Sequence, residues 1–129
     1  TLSPSSAASD VYKRQDLLKA HATMEAGLID DAGRFRRGGA GVAAGNQIFH
    51  YAPDAERVPY LVDNLFEWLR TTEEHPLIAS CVFHYEFEFI HPFADGNGRT
   101  GRLWQTLILS RWRPIFKNLT IENIVYKYQ

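Results

Sequence analysis

The 129-residue chain has a single cysteine, Cys81, so no disulfide can form within it and a scaffold stapled by bridges is excluded. That usage fits a reducing compartment, and a cytoplasmic location is the expectation. An excess of one charge sign is also missing. Fourteen Lys and Arg stand against 15 Asp and Glu, giving a formal net charge of −1 and an isoelectric point near 6.5. No global field draws such a chain to nucleic acid or to an anionic membrane surface, so any anion recognition must be local. No run reaches the roughly 18 apolar residues of a membrane span, and no basic-then-apolar signal segment opens the chain. Internal repeats and low-complexity tracts are absent from 16–129. What is present is apolar mass: 45% hydrophobic residues, 13% of the total aromatic, enough for one domain with a sizeable core and too little for two ordinary ones.

The segment "SSAASDVYKRQ" (Ser5 to Gln15) resembles the in-frame translation of a sequencing-library adapter, whose last codons read D-V-Y-K-R-Q. Residues 1–15 are therefore expected to be an extraneous, unstructured tail. Residues 16–129 are expected to be the domain itself, incomplete at both ends.

In "DLLKAHATMEAGLID", Leu17, Leu18, His21, Met24, Leu28 and Ile29 recur at three- and four-residue spacings, which predicts an amphipathic helix over about 16–28. "DDAGRFRRGGAG" then reads as an irregular loop. A short hairpin follows, with Val42 to Ala44 and Gln47 to Tyr51 flanking a turn at Gly45-Asn46. Val58, Leu61, Val62, Leu65, Phe66 and Leu69 define a second helix.

The next segment carries a conflict. Phe83, Tyr85, Phe87 and Phe89 alternate as a strand would, whereas a helix over 76–90 aligns Leu77, Ile78, Cys81, Val82, Tyr85 and Phe89 and leaves Phe87 elsewhere. Length and Pro76, suited to a first helical turn, favour the helix. Cys81 is expected to be a buried, inert thiol in this run. "RTGRLWQTLILSRW" is helical again through Leu103, Leu107, Ile108 and Trp112, and Thr120 is placed to cap a further helix.

Between those last two long helices lies "HPFADGNGRTGR", residues 91–102, with one histidine, one carboxylate, three glycines and two arginines in twelve positions. Gly96-Asn97-Gly98 lets consecutive N–H groups converge, and the helix that starts there adds its own unpaired N–H groups and positive dipole end. Arg99 and Arg102, three apart on the first turn, can grip phosphate oxygens together. Asp95 beside phosphates implies a divalent cation between them, Mg²⁺ by default. His91 can accept a proton near neutrality. These are the parts for transferring a phosphorus group to a hydroxyl.

The order His-x-Phe-x-Asp-Gly-Asn-Gly-Arg-x-x-Arg resembles the signature of the Fic family, H-x-F-x-(D/E)-G-N-G-R-x-x-R, with every defining position filled. "HPLIASCVFHYEFEFI" and "LFEWL" are similar to that family as well, so the likeness spans about 16–129. It implies a mainly α fold, a helical bundle with a short β-hairpin flap over the active site, and resolves 76–90 as helix. It also implies transfer of AMP from ATP to a Ser, Thr or Tyr hydroxyl of a target protein with release of pyrophosphate. By the resemblance His91 is the base and Asp95 holds Mg²⁺. Gly96, Asn97 and Gly98 cradle the phosphates, Arg99 and Arg102 orient them, and Thr100 and Gly101 complete the ATP-binding stretch. Phe93 is implied to be a packing anchor.

The hairpin at 42–51 matches the flap, along which a target segment would pair by its main chain. The family's inhibitory pattern (S/T)-x-x-x-E-(G/N) does not occur, and the adenine-side contacts are expected beyond Gln129. The remaining readings are a variant that transfers another nucleotide or a phosphoryl group or removes AMP, and a non-catalytic nucleotide-binding regulatory module. No nucleic-acid or membrane partner is indicated.

Overall fold

The computed structural model describes residues 12–118; the helix expected around Thr120 lies outside the described residues. Helix α1 (Arg14–Glu25) is followed by a long loop and an antiparallel hairpin of β1 (Gly41–Ala44) and β2 (Gln47–Tyr51). A 3₁₀ turn, Ala55–Arg57, leads into α2 (Val58–Thr71); then come α3 (Pro76–Ile90), α4 (Asn97–Trp112) and a second 3₁₀ turn, Pro114–Lys117. The hairpin falls within a residue of its expected bounds. Gly45, at φ +61, supplies the positive dihedral that a type II′ hairpin takes at its first central position. No helix among the described residues is long and apolar enough to cross a membrane.

Helix α1 starts and stops earlier than its apolar spacing predicts. Gly27 adopts φ +77, and the N–H groups of Leu28 and Ile29 turn back to the Glu25 carbonyl at 2.9 and 3.3 Å, so Leu28 is left exposed. At the other end, Tyr12 is buried and its carbonyl accepts from Arg70, while Arg14 makes a two-pronged ion pair with Asp63 of α2. Tyr12 and Arg14, expected to lie in an extraneous tail, are therefore tied to α2 and belong to the packed unit.

Helix α3 begins as expected, with Pro76 in its first turn and the His75 ring Nδ1 accepting from the Leu77 N–H at 3.1 Å. Its orientation is the reverse of the expected one. Ala79, Ser80, Phe83, Phe87 and Ile90 face the core, whereas Leu77, Ile78, Val82, Tyr85, Phe89 and Cys81 face outward. Both sides of this helix are apolar, so periodicity does not choose between them; volume and fit do. Phe83 and Phe87 stack at 5.9 Å and meet Phe66 of α2 and Phe93 of the following loop at 5.6 and 6.4 Å. Cys81 is accordingly an exposed thiol, not a buried one.

Helix α4 crosses α3 closely at Gly101, where an added Cβ would come within 3.0 Å of Glu88 Oε1 and 3.1 Å of the Phe87 ring. That crossing turns Thr100, Gly101, Trp104, Ile108 and Leu109 inward, leaves Leu103 exposed and half-buries Trp112 against His75 and Phe116. The α3–α4 corner, residues 91–96, thus sits on a layer of aromatic side chains.

Candidate active site

Helix α3 ends at His91, which takes the left-handed conformation, φ 51 and ψ 62; it is the one non-glycine with positive φ among the described residues. That geometry costs an L-residue with a Cβ about 1–2 kcal/mol, so the surroundings must hold it. The chain then passes through Pro92 and Phe93, both fully buried, and re-enters a helix at Gly96, φ 82. The first bond closing α4 is Thr100 N–H to the Gly96 carbonyl at 3.0 Å, so the N–H groups of Asn97, Gly98 and Arg99 have no partner within the helix. They form a positive helix end of the kind that receives anions.

A cleft of about 300 Å³ opens over this end, lined by Glu88, His91, Ala94, Asp95, Gly96, Asn97, Gly98, Arg99 and Arg102. Seven of the nine residues expected to form the site are therefore brought together. Thr100 and Gly101 are not: both are buried, Gly101 against α3, and the Thr100 hydroxyl donates to the Gly96 carbonyl at 2.9 Å. The Asn97 side chain also serves the fold. Its Oδ1 accepts from the Phe93 N–H at 2.9 Å and its Nδ2 donates to the Phe93 carbonyl at 2.7 Å, a two-bond clamp across the corner. Only the backbone of Asn97 is left to an anion.

His91 lines the cleft and its Nδ1 is buried, which makes Nε2 the ring nitrogen available to the cleft. Asp95 is exposed; its Oδ1 accepts from the Gly96 N–H at 2.7 Å, which leaves Oδ2 toward the cleft. One outward carboxylate oxygen beside a phosphate-binding helix end fits a Mg²⁺ ion that takes its other ligands from phosphates and water. Gly98 lets the Arg102 guanidinium pass over the helix end, since a Cβ there would lie 3.0 Å from Arg102 Nη1.

Three buried polar side chains behind the corner escaped the sequence reading as site residues. The His21 ring stacks flat on Phe93, centroids 3.7 Å apart, accepts at Nδ1 from the Gly33 N–H at 2.9 Å, and so presents Nε2–H to the Asp95 carbonyl at 2.9 Å. Glu25, fully buried, binds Arg99 Nη2 at 2.9 Å and lies so close to Gly96 that a Cβ there would stand 2.6 Å from its Oε1. Arg36, 4% exposed, donates to main-chain carbonyls around His91. Burial lowers the pKa of its guanidinium, and the Asp54 carboxylate acts in the opposite sense. A signal existed for two of them: Leu17, His21 and Glu25 follow one another at four-residue steps, which puts two polar groups on the core stripe of α1. Arg36, in an irregular loop, had none.

This architecture has known counterparts. The protein adenylyltransferase Fic of Aedes aegypti is 32% identical over 108 residues, taking in 80% of this chain and 20% of that protein. The protein of the same name from Nematostella vectensis is 31% identical over 106 residues, 76% of this chain and 23% of that protein. The chain thus spans only about a fifth of the length of these curated relatives. Among solved structures, a Fic family protein from Desulfovibrio desulfuricans G20 superposes with a TM-score of 0.81 at 53% identity, covering 92% of this chain and 38% of that one. Fic-1 from C. elegans superposes with a TM-score of 0.63 at 25% identity, covering 84% and 35%. The Fic/DOC family model matches residues 11–109, a span that takes in the corner, the hairpin and the buried residues behind them, and this chain belongs to the Fic/DOC family.

Proposed function

We propose that this chain carries the catalytic centre of a protein adenylyltransferase, transferring AMP from ATP to a hydroxyl of a target protein. The observation that carries the reading is the cleft at the α3–α4 corner, where a ring nitrogen, an outward carboxylate, the N-terminus of α4 and two arginines share one space. The names of the relatives in Aedes aegypti and Nematostella vectensis support it.

In this mechanism the N–H groups at the start of α4 and the guanidinium groups of Arg99 and Arg102 hold the β- and γ-phosphates, which presents the α-phosphorus to an acceptor hydroxyl. His91 Nε2 takes the hydroxyl proton as the acceptor oxygen bonds to the α-phosphorus. The bond from that phosphorus to the bridging oxygen breaks, and its electrons leave with pyrophosphate. Mg²⁺, held at Asp95, would supply charge neutralisation to the phosphates. The acceptor segment pairs along the hairpin; the two-stranded sheet leaves an outer edge on each strand free of strand pairing among the described residues.

The reaction is tested with ATP labelled at the α- or the γ-phosphate. Label from the α position is expected in protein and label from the γ position is not. The reverse pattern would assign phosphoryl transfer, and bound ATP without incorporation of either label would assign a binding module.

A further inference from the structure

Arg36 does not line the cleft, yet it is among the most deeply buried charged residues of the domain. Its guanidinium is spent on main-chain carbonyls. Nε donates to His91 O at 2.6 Å, Nη2 to Ile90 O at 3.1 Å and to Pro53 O, and Nη1 to Gly38 O at 2.9 Å; its own N–H donates to Pro92 O at 2.9 Å.

Two of these carbonyls, those of Ile90 and His91, are at the C-terminal end of α3, where intrahelical donors have run out and a cation is favoured. The other two flank the hairpin: Gly38 precedes β1 and Pro53 follows β2, and between them Ala52 N–H closes the stem on Ala40 O at 2.9 Å. One planar fork therefore fastens both stems of the hairpin to the residue that carries the base, and braces the left-handed turn at His91 by its own carbonyl. A lysine could keep the charge there but could not span carbonyls on both sides of a guanidinium plane.

We propose that Arg36 is a positioning residue, which fixes the hairpin relative to His91 so that an acceptor hydroxyl paired on the hairpin arrives at the imidazole. Its functional readout rests on the adenylyl-transfer reading, whereas its geometry does not. On that reading ATP is held at the N-terminus of α4, whereas Arg36 bonds to the hairpin stems and the end of α3, so the two halves of the reaction respond differently.

The experiment compares Arg36→Lys and Arg36→Gln with the parent in the full chain. AMP transfer to a protein acceptor is expected to fall on the order of 100-fold, the effect of displacing reacting groups by about 1 Å. Affinity for Mg²⁺-ATP should stay within about twofold, and ATP hydrolysis, which needs no aligned acceptor, should fall less than transfer. A parallel fall in ATP affinity and transfer, or transfer at the parent rate by Arg36→Lys, overturns the proposal. Should the variants fail to fold, amide hydrogen exchange on the unaltered chain in rising denaturant decides: the hairpin amides and those of His91 and Phe93 are expected to open as one unit. Separate opening refutes the tie. If the parent chain transfers no AMP, the reaction assignment fails and the exchange result still rules on Arg36.

Discussion

The cleft side of the 91–102 corner and its buried back are assembled from different parts of the chain. Toward the cleft stand His91, Asp95, Arg99 and Arg102, all within twelve residues. Behind them, His21 and Arg36 reach backbone carbonyls of the corner from 74 and 55 positions away, and Glu25 holds the Arg99 guanidinium from 74. An irregular corner cannot satisfy its own polar groups as a helix does, so distant side chains must meet them. Chemistry is encoded by local spacing, whereas the shape that aligns it is imposed from afar.

The sharpest separation of the two sides is expected from His91→Ala. Loss of a general base typically lowers turnover by about 10²–10⁴-fold. AMP transfer should fall by that factor while the urea midpoint stays near that of the parent, because the ring faces the cleft and the backbone conformation is unchanged. A midpoint that drops with the activity would mean that the cleft side also supports the fold, and the division would fail.

Arg99 is the residue where the two sides meet, and it carries the second prediction. Its guanidinium is half exposed, but its partner Glu25 is fully buried. Removing one member of a buried pair typically costs about 3–5 kcal/mol; with one partner in solvent, Arg99→Ala is expected to destabilise by about 2 kcal/mol. Glu25→Gln in that background removes the stranded charge and should restore about half of the loss. A double-mutant cycle in urea checks this, and a coupling below about 0.3 kcal/mol, the level of independent sites, would detach Arg99 from the back wall.

The same contrast explains what the sequence alone could disclose. The hairpin was legible because Gly-Asn between two short β-prone runs is a local code, and the signature residues that line the cleft because they fall within twelve consecutive positions. The face of α3 was not legible. Leu77, Ile78, Val82, Tyr85 and Phe89 are as apolar as Phe83 and Phe87, and only the shapes of Phe66, Phe93 and Gly101 select between them. Cys81 was misplaced to the interior for the same reason. Thr100 and Gly101 lie inside the signature but serve helix packing, a distinction that requires knowing where α3 passes. Arg36 had no sequence signal, since its role depends on four carbonyls brought together only by the fold.

The smallest effect concerns the backbone of His91. Its left-handed conformation, φ 51, is one that glycine adopts without penalty and other residues at about 1–2 kcal/mol. Replacing the ring by Ala or by Gly removes the imidazole in both cases, but only Gly relieves the Cβ strain. His91→Gly is therefore expected to be more stable than His91→Ala by about 1 kcal/mol, or about 4 °C in Tm for a domain of this size. The greater freedom of glycine in the unfolded chain reduces that margin without reversing it. Equal melting temperatures would place the strain elsewhere and leave Arg36 with less to hold. A clear margin for Gly would show that the position forgoes stability to keep an imidazole at the end of α3.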